Sequence, residues 1–350
     1  METTPAKLNG INQNASAEEV DTHPQLSEKE IQIIIENWLR ILKIKQGWIN
    51  DFDKIIVKYI KYFKLLKTFQ ECAHAITSVQ FSCDGQKIVS TDNKTLRIWD
   101  TSSKEQIQTF QHYSLIYVAI FSPDGNSVVC SEQKIIRIWD LKSEKEWMTL
   151  EGHLNWILDV NFSPDSKNIV SCSIDKTIKI WDINSGKEIK KLIGHTDGVR
   201  SVQYSSNGQM ILSSSSDKTI ILWNIKSGEI LKQFKGHSEG VACAKFSPNN
   251  EFIVSCSFDK TVRIWDIISG KELKKIEGHL HTVHDVKYFP DGQTIVSCSY
   301  DNSIRLWDAN SGKEIQKLER HSHWVMMVDV SPDGNFIVSG SLDKTIRIWG

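Results

Sequence analysis

Seven tryptophans recur along the chain at a nearly constant interval, and this spacing constrains the fold more than any other feature. The first two lie 40 residues apart, and every later pair is separated by 42 residues. The seven residues are Trp99, Trp139, Trp181, Trp223, Trp265, Trp307 and Trp349. A fixed period of this length indicates repeated supersecondary units that bury their apolar faces against one another. The repeat overrides the two domains that 350 residues alone would suggest.

A histidine precedes six of these tryptophans by 27 or 28 residues. The six are His112, His153, His195, His237, His279 and His321. Cys72 occupies the corresponding position before Trp99, so the unit is counted seven times. In the third unit, short β-branched runs at 157–163, 168–173, 177–181 and 187–192 are separated by turn residues, which predicts four antiparallel strands in each unit.

The pairs Gly152-His153 and Trp181-Asp182 show the pattern on which a family resemblance rests. Together with the period, they make residues 64 to 350 resemble the WD-repeat β-propeller family. The resemblance implies an all-β, seven-bladed propeller. Two units depart from the pattern, with Trp223-Asn224 in blade 4 and Trp349-Gly350 in blade 7.

Blade 7 lacks a fourth strand after Trp349, and the segment before the first unit can supply it. Leu66 and Phe69 precede Cys72 by the same offsets at which Ile315 and Leu318 precede His321. We therefore expect the propeller to span 64–350, with 64–69 as the closing strand of blade 7. An open ring would leave an unpaired strand edge.

Histidine, serine and aspartate recur together in five blades and resemble the residue types of a hydrolase triad. Five identical active sites in one chain are implausible, and such triads are recognised by geometry. The family resemblance instead implies a structural hydrogen-bond network, and we expect no catalytic or cofactor-binding residues. The expected network residues are His153, Asp175, Trp181, His195, Asp217, Trp223, His237, Asp259, Trp265, His279, Asp301, Trp307, His321, Asp343 and Trp349.

Blades 1 and 2 break this pattern, because Asn93 and Gln133 stand where the aspartate is expected. These two blades are therefore expected to be looser. His279, His281, His284, His321 and His323 form a histidine-rich stretch, but no cysteine or carboxylate set with ligand spacing accompanies them, so we expect no metal site.

By family resemblance, the histidine-bearing loops and aspartate-bearing turns lie on one face, the top face, which carries most partner contacts. Aromatic and methionine side chains at its variable positions are typical of interface hot spots. The predicted partner-binding residues are Tyr117, Trp156, Leu158, Arg200, Phe258, His284, Tyr300, Trp324 and Met326. Asp92 and Glu132 are expected to add acidity near blades 1 and 2.

The amino-terminal part differs in composition from the repeats. Residues 1–26 are polar and predicted to be disordered, whereas apolar residues recur at helical spacing within 27–63, which predicts a helical extension. That extension is basic and amphipathic, which leaves three roles open. It packs on its own domain, binds a partner or a second copy, or contacts a membrane.

Composition narrows the function classes. The formal charge of −1 removes the electrostatic attraction that drives general nucleic-acid binding. The sequence contains no run of about 18 apolar residues, the length needed to span a bilayer. The start lacks a secretory pattern, so we expect an intracellular protein, in the cytoplasm or alternatively the nucleus.

We interpret the chain as a non-enzymatic protein-interaction scaffold of unknown oligomeric state. It would bind other proteins through the top face, with the amino-terminal helices as a second possible site. The alternatives are a substrate receptor of a ubiquitin ligase and a G-protein β-like signalling subunit.

Overall fold

The computed structural model describes residues 62–70 and 72–350, which form seven antiparallel sheets of four strands each. This all-β architecture of seven repeated sheets confirms the predicted fold class. Residues 1–26 and all but the last two residues of the predicted extension 27–63 lie outside the described residues. Within the described ranges, no helix has the length and hydropathy needed to cross a membrane.

Each sheet is one blade, and its four strands are named from the innermost to the outermost. Blade 1 contains β2 (Ile76–Phe81), β3 (Lys87–Asp92), β4 (Thr95–Asp100) and β5 (Gln106–Gln111). Blade 2 contains β6 (Ile116–Phe121), β7 (Ser127–Glu132), β8 (Ile135–Asp140) and β9 (Lys145–Glu151). Blade 3 contains β10 (Ile157–Phe162), β11 (Asn168–Ser173), β12 (Thr177–Asp182) and β13 (Lys187–Ile193).

The remaining blades follow the same order until the last. Blade 4 contains β14 (Val199–Tyr204), β15 (Met210–Ser215), β16 (Thr219–Asn224) and β17 (Ile230–Lys235). Blade 5 contains β18 (Val241–Phe246), β19 (Phe252–Ser257), β20 (Val262–Asp266) and β21 (Glu272–Ile276). Blade 6 contains β22 (Val283–Tyr288), β23 (Thr294–Ser299), β24 (Ser303–Asp308) and β25 (Glu314–Glu319). Blade 7 contains β26 (Val325–Val330), β27 (Ile337–Ser341), β28 (Ile346–Trp349) and β1 (Leu65–Phe69).

The outermost strand of each blade is far more exposed than the other three, and the sequence of each strand matches its position. The inner strand β10 (ILDVNF) is almost entirely buried, whereas the outer strand β13 (KEIKKLI) is mostly exposed. Lysine and glutamate on the outer strands keep the exposed edges charged, which opposes pairing with other chains. The antiparallel order also places the loop before each inner strand and the turn between the second and third strands at the same end of the sheet. We call that end of the ring the top face.

Seven apolar clusters in the described residues fill the seven junctions between neighbouring blades. In every junction the repeat tryptophan of one blade packs on the preceding blade, as Trp181 of blade 3 does on Ile138 and Leu150 of blade 2. Trp99 of blade 1 likewise packs on Ile348 of blade 7, so the sequence of junctions is circular. Because each blade buries its apolar surface only against its neighbours, the hydrophobic core is a circle of seven clusters and not one central cluster.

Polar side chains also join several neighbouring inner strands. The Asp159 carboxylate accepts the backbone N–H of Val202 at 3.0 Å, and Asp329 accepts that of Phe81 at 2.8 Å. Gln203 accepts the N–H of Phe246 at 3.0 Å. These acceptors satisfy backbone donors that the inner edge of a sheet would otherwise leave unpaired.

Blade 7 is built from both ends of the propeller segment. Strand β1 pairs with β28 in antiparallel register from Leu65↔Trp349 to Phe69↔Ile346. Backbone hydrogen bonds of 3.0 Å in both directions between Lys64 and Gly350 extend the pairing. The Phe69 ring also lies 4.7 Å from the Trp99 ring of blade 1. The fourth strand of blade 7 therefore joins the ends of the ring.

Phe63, just before β1, anchors this seam to blade 6. Its backbone N–H donates to Gln316 Oε1 at 3.0 Å, and Gln316 Nε2 donates to the Phe63 carbonyl at 2.8 Å. The Phe63 ring is buried and lies 5.7 Å from the Phe289 ring. In blade 1, the side chain at the position of Gln316 is Gln108, which donates to the Leu141 carbonyl of the next blade. Leu141 directly follows the Trp139-Asp140 pair of blade 2. The carbonyl of Phe63 thus accepts the bond from blade 6 that the carbonyl of Leu141 accepts from blade 1.

Removal of residues 1–70 is expected to abolish cooperative thermal unfolding and to cause aggregation, because it deletes β1 and exposes the edge of β28. Removal of residues 1–61, which keeps Phe63 and β1, is the matched control and is expected to retain a cooperative transition. The two truncated proteins are compared by calorimetry and size-exclusion chromatography. The same melting transition in both would contradict closure by β1.

Candidate functional site

A chain of four side chains links the loop, the turn and two strands of blade 3. The Trp181 Nε1–H donates to Ser171 Oγ at 2.8 Å, and Ser171 Oγ lies 2.8 Å from His153 Nε2. His153 Nδ1 lies 2.8 Å from Asp175 Oδ2. Since an ionised carboxylate only accepts, the Nδ1–H of His153 donates to Asp175.

Blades 4 to 7 repeat this network with nearly the same geometry. In each, the histidine lies 2.8 Å from its aspartate and from its serine. The histidine–serine–aspartate–tryptophan sets are His195, Ser213, Asp217 and Trp223; His237, Ser255, Asp259 and Trp265; His279, Ser297, Asp301 and Trp307; and His321, Ser339, Asp343 and Trp349.

The aspartate accepts hydrogen bonds from other groups besides the histidine. Asp175 Oδ2 accepts the Leu154 backbone N–H at 2.9 Å, and Oδ1 accepts from the backbone and hydroxyl of Thr177 at 3.0 and 2.6 Å. Burial would raise the pKa of the Asp175 carboxyl, but hydrogen bonds from His153 and Thr177 outweigh it and hold the pKa well below its usual value. One carboxylate therefore fixes the top-face loop to the top-face turn.

The network has the residue types of a catalytic triad but not its accessibility. Ser171 is fully buried, and its oxygen already receives the Trp181 N–H. A nucleophile must reach the substrate, and Ser171 exposes no surface at which a substrate could meet it. The arrangement therefore rigidifies the blade, because mutual pairing satisfies polar groups that are costly to bury alone.

Blade 2 keeps part of the network through a residue that the repeat pattern did not single out. Glu132, not Gln133, carries the carboxylate: it lies 3.2 Å from His112 Nδ1 and accepts the Ser114 N–H at 2.6 Å. Cys130 replaces the serine, with its sulfur 3.8 Å from His112 Nε2. Glu132 also pairs with Arg137.

Blade 1 retains the least of the network. Trp99 Nε1 donates to Ser90 Oγ at 2.8 Å, while Cys72 takes the histidine position. Asp92 is buried and lies 2.6 Å from Arg97 Nη1.

The expectation that Asp92 and Glu132 add acidity to the top face was wrong. Their side chains are 0% and 2% exposed, and both are paired with arginines. The turns of blades 1 and 2 are one residue shorter, which moves the acidic residue one position earlier. The sequence does record this, since 27 rather than 28 residues separate His112 from Trp139.

The inner strands surround a central channel, and its top mouth is a narrow cavity of about 50 Å³. Six residues five positions after the histidine, or after Cys72, line this mouth: Thr77, Tyr117, Leu158, Arg200, Ala242 and His284. Blade 7 contributes Met327 rather than the expected Met326. Met326 instead uses its backbone carbonyl to accept the His284 Nδ1–H at 2.6 Å.

Three of the predicted partner-binding side chains form one aromatic stack across blades 6 and 7. The Tyr300 and Trp324 rings lie 4.1 Å apart and within 7° of parallel. The His284 ring stacks on the other side of Tyr300 at 5.4 Å. The stack runs from Trp324, which is 42% exposed, to the channel mouth.

Arg200 and Phe258 form a second pair, with the guanidinium 4.4 Å from the ring centre. Arg200 Nε also donates to Ser216 Oγ at 2.7 Å, which fixes the side chain at the mouth. Trp156 is separate from both groups and is 44% exposed on the loop before β10. Leu158 is only 8% exposed, so it lines the wall of the cavity and offers little surface to a partner.

Below the mouth, the channel holds charged side chains of both signs. Lys245 Nζ lies 3.8 Å from Asp159 Oδ2, and Lys287 pairs with Asp329. Burial raises the pKa of Asp159, and the charge of Lys245 opposes that rise. These pairs and the backbone donors of neighbouring inner strands occupy the carboxylates.

The part of the chain that the structure describes contains no group of three or more histidine, cysteine, aspartate or glutamate residues arranged to hold a metal ion. His279 and His321 belong to the blade networks, and His284 donates to a backbone carbonyl. Cys172, Cys256 and Cys298 are fully buried free thiols.

A protein-family model described as WD domain, G-beta repeat matches the chain. It matches seven segments, at residues 63–100, 104–140, 144–182, 186–224, 228–266, 270–308 and 312–350. No curated protein gives a significant match to the chain.

A reciprocal exchange tests the network. Cys130→Ser is expected to stabilise the protein by about 0.5–1.5 kcal/mol, because the oxygen can accept the Trp139 N–H and bond His112. Ser171→Cys in blade 3 is expected to destabilise it by a similar amount. Chemical denaturation measures both, and equal effects of the same sign would contradict the assignment.

The pH dependence of stability follows from the shifted groups. Burial is the main cause that lowers the pKa of His237, His279 and His321. Below about pH 6.5 the folded state therefore binds fewer protons than the unfolded state, and acidification lowers the free energy of unfolding. The lowered aspartate pKa values, as at Asp259, remove further stability below about pH 4. The melting temperature is expected to fall from pH 7 to 5 and more steeply below pH 4. A melting temperature that rises on acidification would contradict this.

Proposed function

The chain belongs to the WD-repeat family, whose propellers are generally scaffolds for protein interaction, and we propose that its top face binds partner peptides or domains without catalysis. The observation that carries the proposal is that this face exposes two tryptophans, one each in blades 3 and 7. Trp156 and Trp324 are 44% and 42% exposed at the ends of loops that the buried networks hold in place. Large aromatic side chains of this kind dominate the energy of protein interfaces.

Rigidity is the mechanism by which such a face would act. Asp175 and Asp343 each tie a loop backbone N–H to a turn, so Trp156 and Trp324 are presented by ordered backbone. A partner then loses little free energy to ordering of the receptor, and more of the contact energy appears as affinity. The buried free thiols of Cys172, Cys256 and Cys298 suit a reducing compartment, so we place this function inside the cell.

The described residues add no support for the two alternatives. The helix on which a G-protein β-like subunit would depend lies outside them. The stretch Trp139-Asp140-Leu141-Lys142 has lysine where members that serve as ubiquitin-ligase receptors tend to carry arginine.

The double variant Trp156→Ala, Trp324→Ala is expected to lose the partners that the wild type captures from source-cell lysate, with at least tenfold weaker binding of each. Trp147→Ala is the matched control, since Trp147 is 51% exposed on the outer strand β9. All three proteins are first shown to melt at similar temperatures. Identical captures by the double variant and the wild type would place binding elsewhere.

A further inference from the structure

The outer edge of blade 1 differs from the outer edges of the other six blades. Its outermost strand, β5 (QIQTFQ), contains no charged residue. Each of the other outer strands, β1, β9, β13, β17, β21 and β25, contains at least one lysine or glutamate. Charged side chains on an edge strand oppose its pairing with another chain. Strand β5 therefore lacks a protection that the other outer strands have.

The difference falls at positions where other blades repeat a charge. Gln106 lies opposite the repeat tryptophan, where blade 3 carries Glu188 in an ion pair with Lys179. Blades 2, 5 and 6 also carry a glutamate at this position. Thr109 occupies the position of Lys191 in blade 3, and blades 5 and 6 also carry a lysine there. Blade 1 has thus replaced both charges by neutral polar residues.

The edge of β5 is accessible and unpaired. It is the last strand of its sheet, and within the described residues no hydrogen bond joins its backbone to a group outside β4. Ile107 is 46% exposed, and Gln106, Thr109 and Gln111 are exposed as well. An edge strand turns unpaired N–H and C=O groups outward. Strand β5 therefore offers backbone donors and acceptors to a further strand.

Neighbouring charges do not protect this edge. Arg97 of β4 pairs with Asp92 of β3, on the side of β4 away from β5. Glu144 of blade 2 accepts a hydrogen bond from Gln108 at 3.0 Å, on the face of β5 toward blade 2 and not along its outer edge. Residues 104–105, just before the strand, are one lysine and one glutamate. An approaching neutral strand therefore meets no charge of one sign along β5.

Two copies of β5 can pair with each other in antiparallel orientation about a two-fold axis. A register centred on Gln108 or on Thr109 pairs the strand over nearly its whole length, and neither register places like charges opposite each other. The same operation centred on the middle of β13 would place Lys190 opposite its own copy. Like charges directly opposite destabilise a strand pair. Self-pairing is therefore disfavoured at β13 but not at β5.

A second copy of the chain also suits this edge better than a flexible segment of another protein. Both copies of β5 are already ordered in their own sheets, so they lose little conformational entropy when they pair. A flexible segment would have to become ordered on binding. The two-fold pair also covers both β5 edges at once, so the assembly closes as a dimer.

We propose that two copies of the chain associate through β5, which joins the two four-stranded sheets of blade 1 into one continuous sheet. One pair of strands buries less than the roughly 1,200 Å² at which stable interfaces begin, so the dimer exchanges with the monomer at micromolar concentrations. The contact does not involve Trp156 or Trp324. This inference is therefore independent of the proposed function of the top face.

Sedimentation velocity of the full chain at micromolar and higher concentrations tests the proposal. The wild type is expected to shift from monomer to dimer as its concentration rises. Thr109→Lys should weaken the dimer at least tenfold, because it places a positive charge on each of the two facing strands. Lys191 occupies the same position in blade 3, so the variant should fold and melt as the wild type does.

The matched control is Thr149→Lys, which makes the same substitution at the same repeat position of blade 2. Strand β9 already carries charged side chains, so this change should leave the dimer unaffected. Hydrogen exchange then locates the contact. Amides of β5 should exchange more slowly at high than at low protein concentration, whereas those of β17, the outer strand of blade 4, should not change.

Three results would overturn the proposal. The wild type could stay monomeric at every concentration. A dimer could form but persist in Thr109→Lys with unchanged strength, or its formation could slow exchange at another outer strand and not at β5. None of these results concerns capture of partners by Trp156 and Trp324, so the proposed function is tested separately.

Discussion

The contact between neighbouring blades is the interaction on which the rest of this structure depends. Every blade packs its repeat tryptophan on the preceding blade, as Trp265 does on Phe234 of blade 4. No blade can satisfy its apolar surface alone, so stability requires the last blade to meet the first. Strand β1 makes that possible because it pairs with β28 while Phe69 packs on Trp99. Two hydrogen bonds between the Phe63 backbone and the Gln316 side chain then hold the segment before β1 against blade 6.

The polar network turns this closed ring into a platform. Its serine and histidine are buried beneath the top face, and its aspartate ties a loop to a turn. Groups that could perform acid–base chemistry in an open cleft are therefore used to hold backbone in place.

Features that repeat along the chain could be predicted from the sequence, because each depends on a fixed local offset. The blade count, the strand order and, through the family resemblance, the placement of His153, Asp175 and Trp181 in one network are of this kind, whereas the structure decides for Ser171 over Ser173 as their partner. Features that depend on contacts between blades could not. The Tyr300–Trp324 stack joins blades 6 and 7, and the Phe63–Gln316 pair joins residues 253 positions apart. Glu132 was missed because the shorter spacing from His112 to Trp139 shows that a turn residue is deleted but does not show which residue takes the place of the aspartate.

Hydrogen exchange on the full chain tests the closed ring most directly. Backbone amides of β28 that face β1 should exchange as slowly as those of β12, β16, β20 and β24, which hold the same position in blades 3 to 6. Slow exchange that is shared by all these strands would indicate one cooperative opening of the ring. If β26, β27 and β28 exchanged much faster than the strands of blades 3 to 6, blade 7 would open independently. The account of a ring closed by β1 would then be wrong.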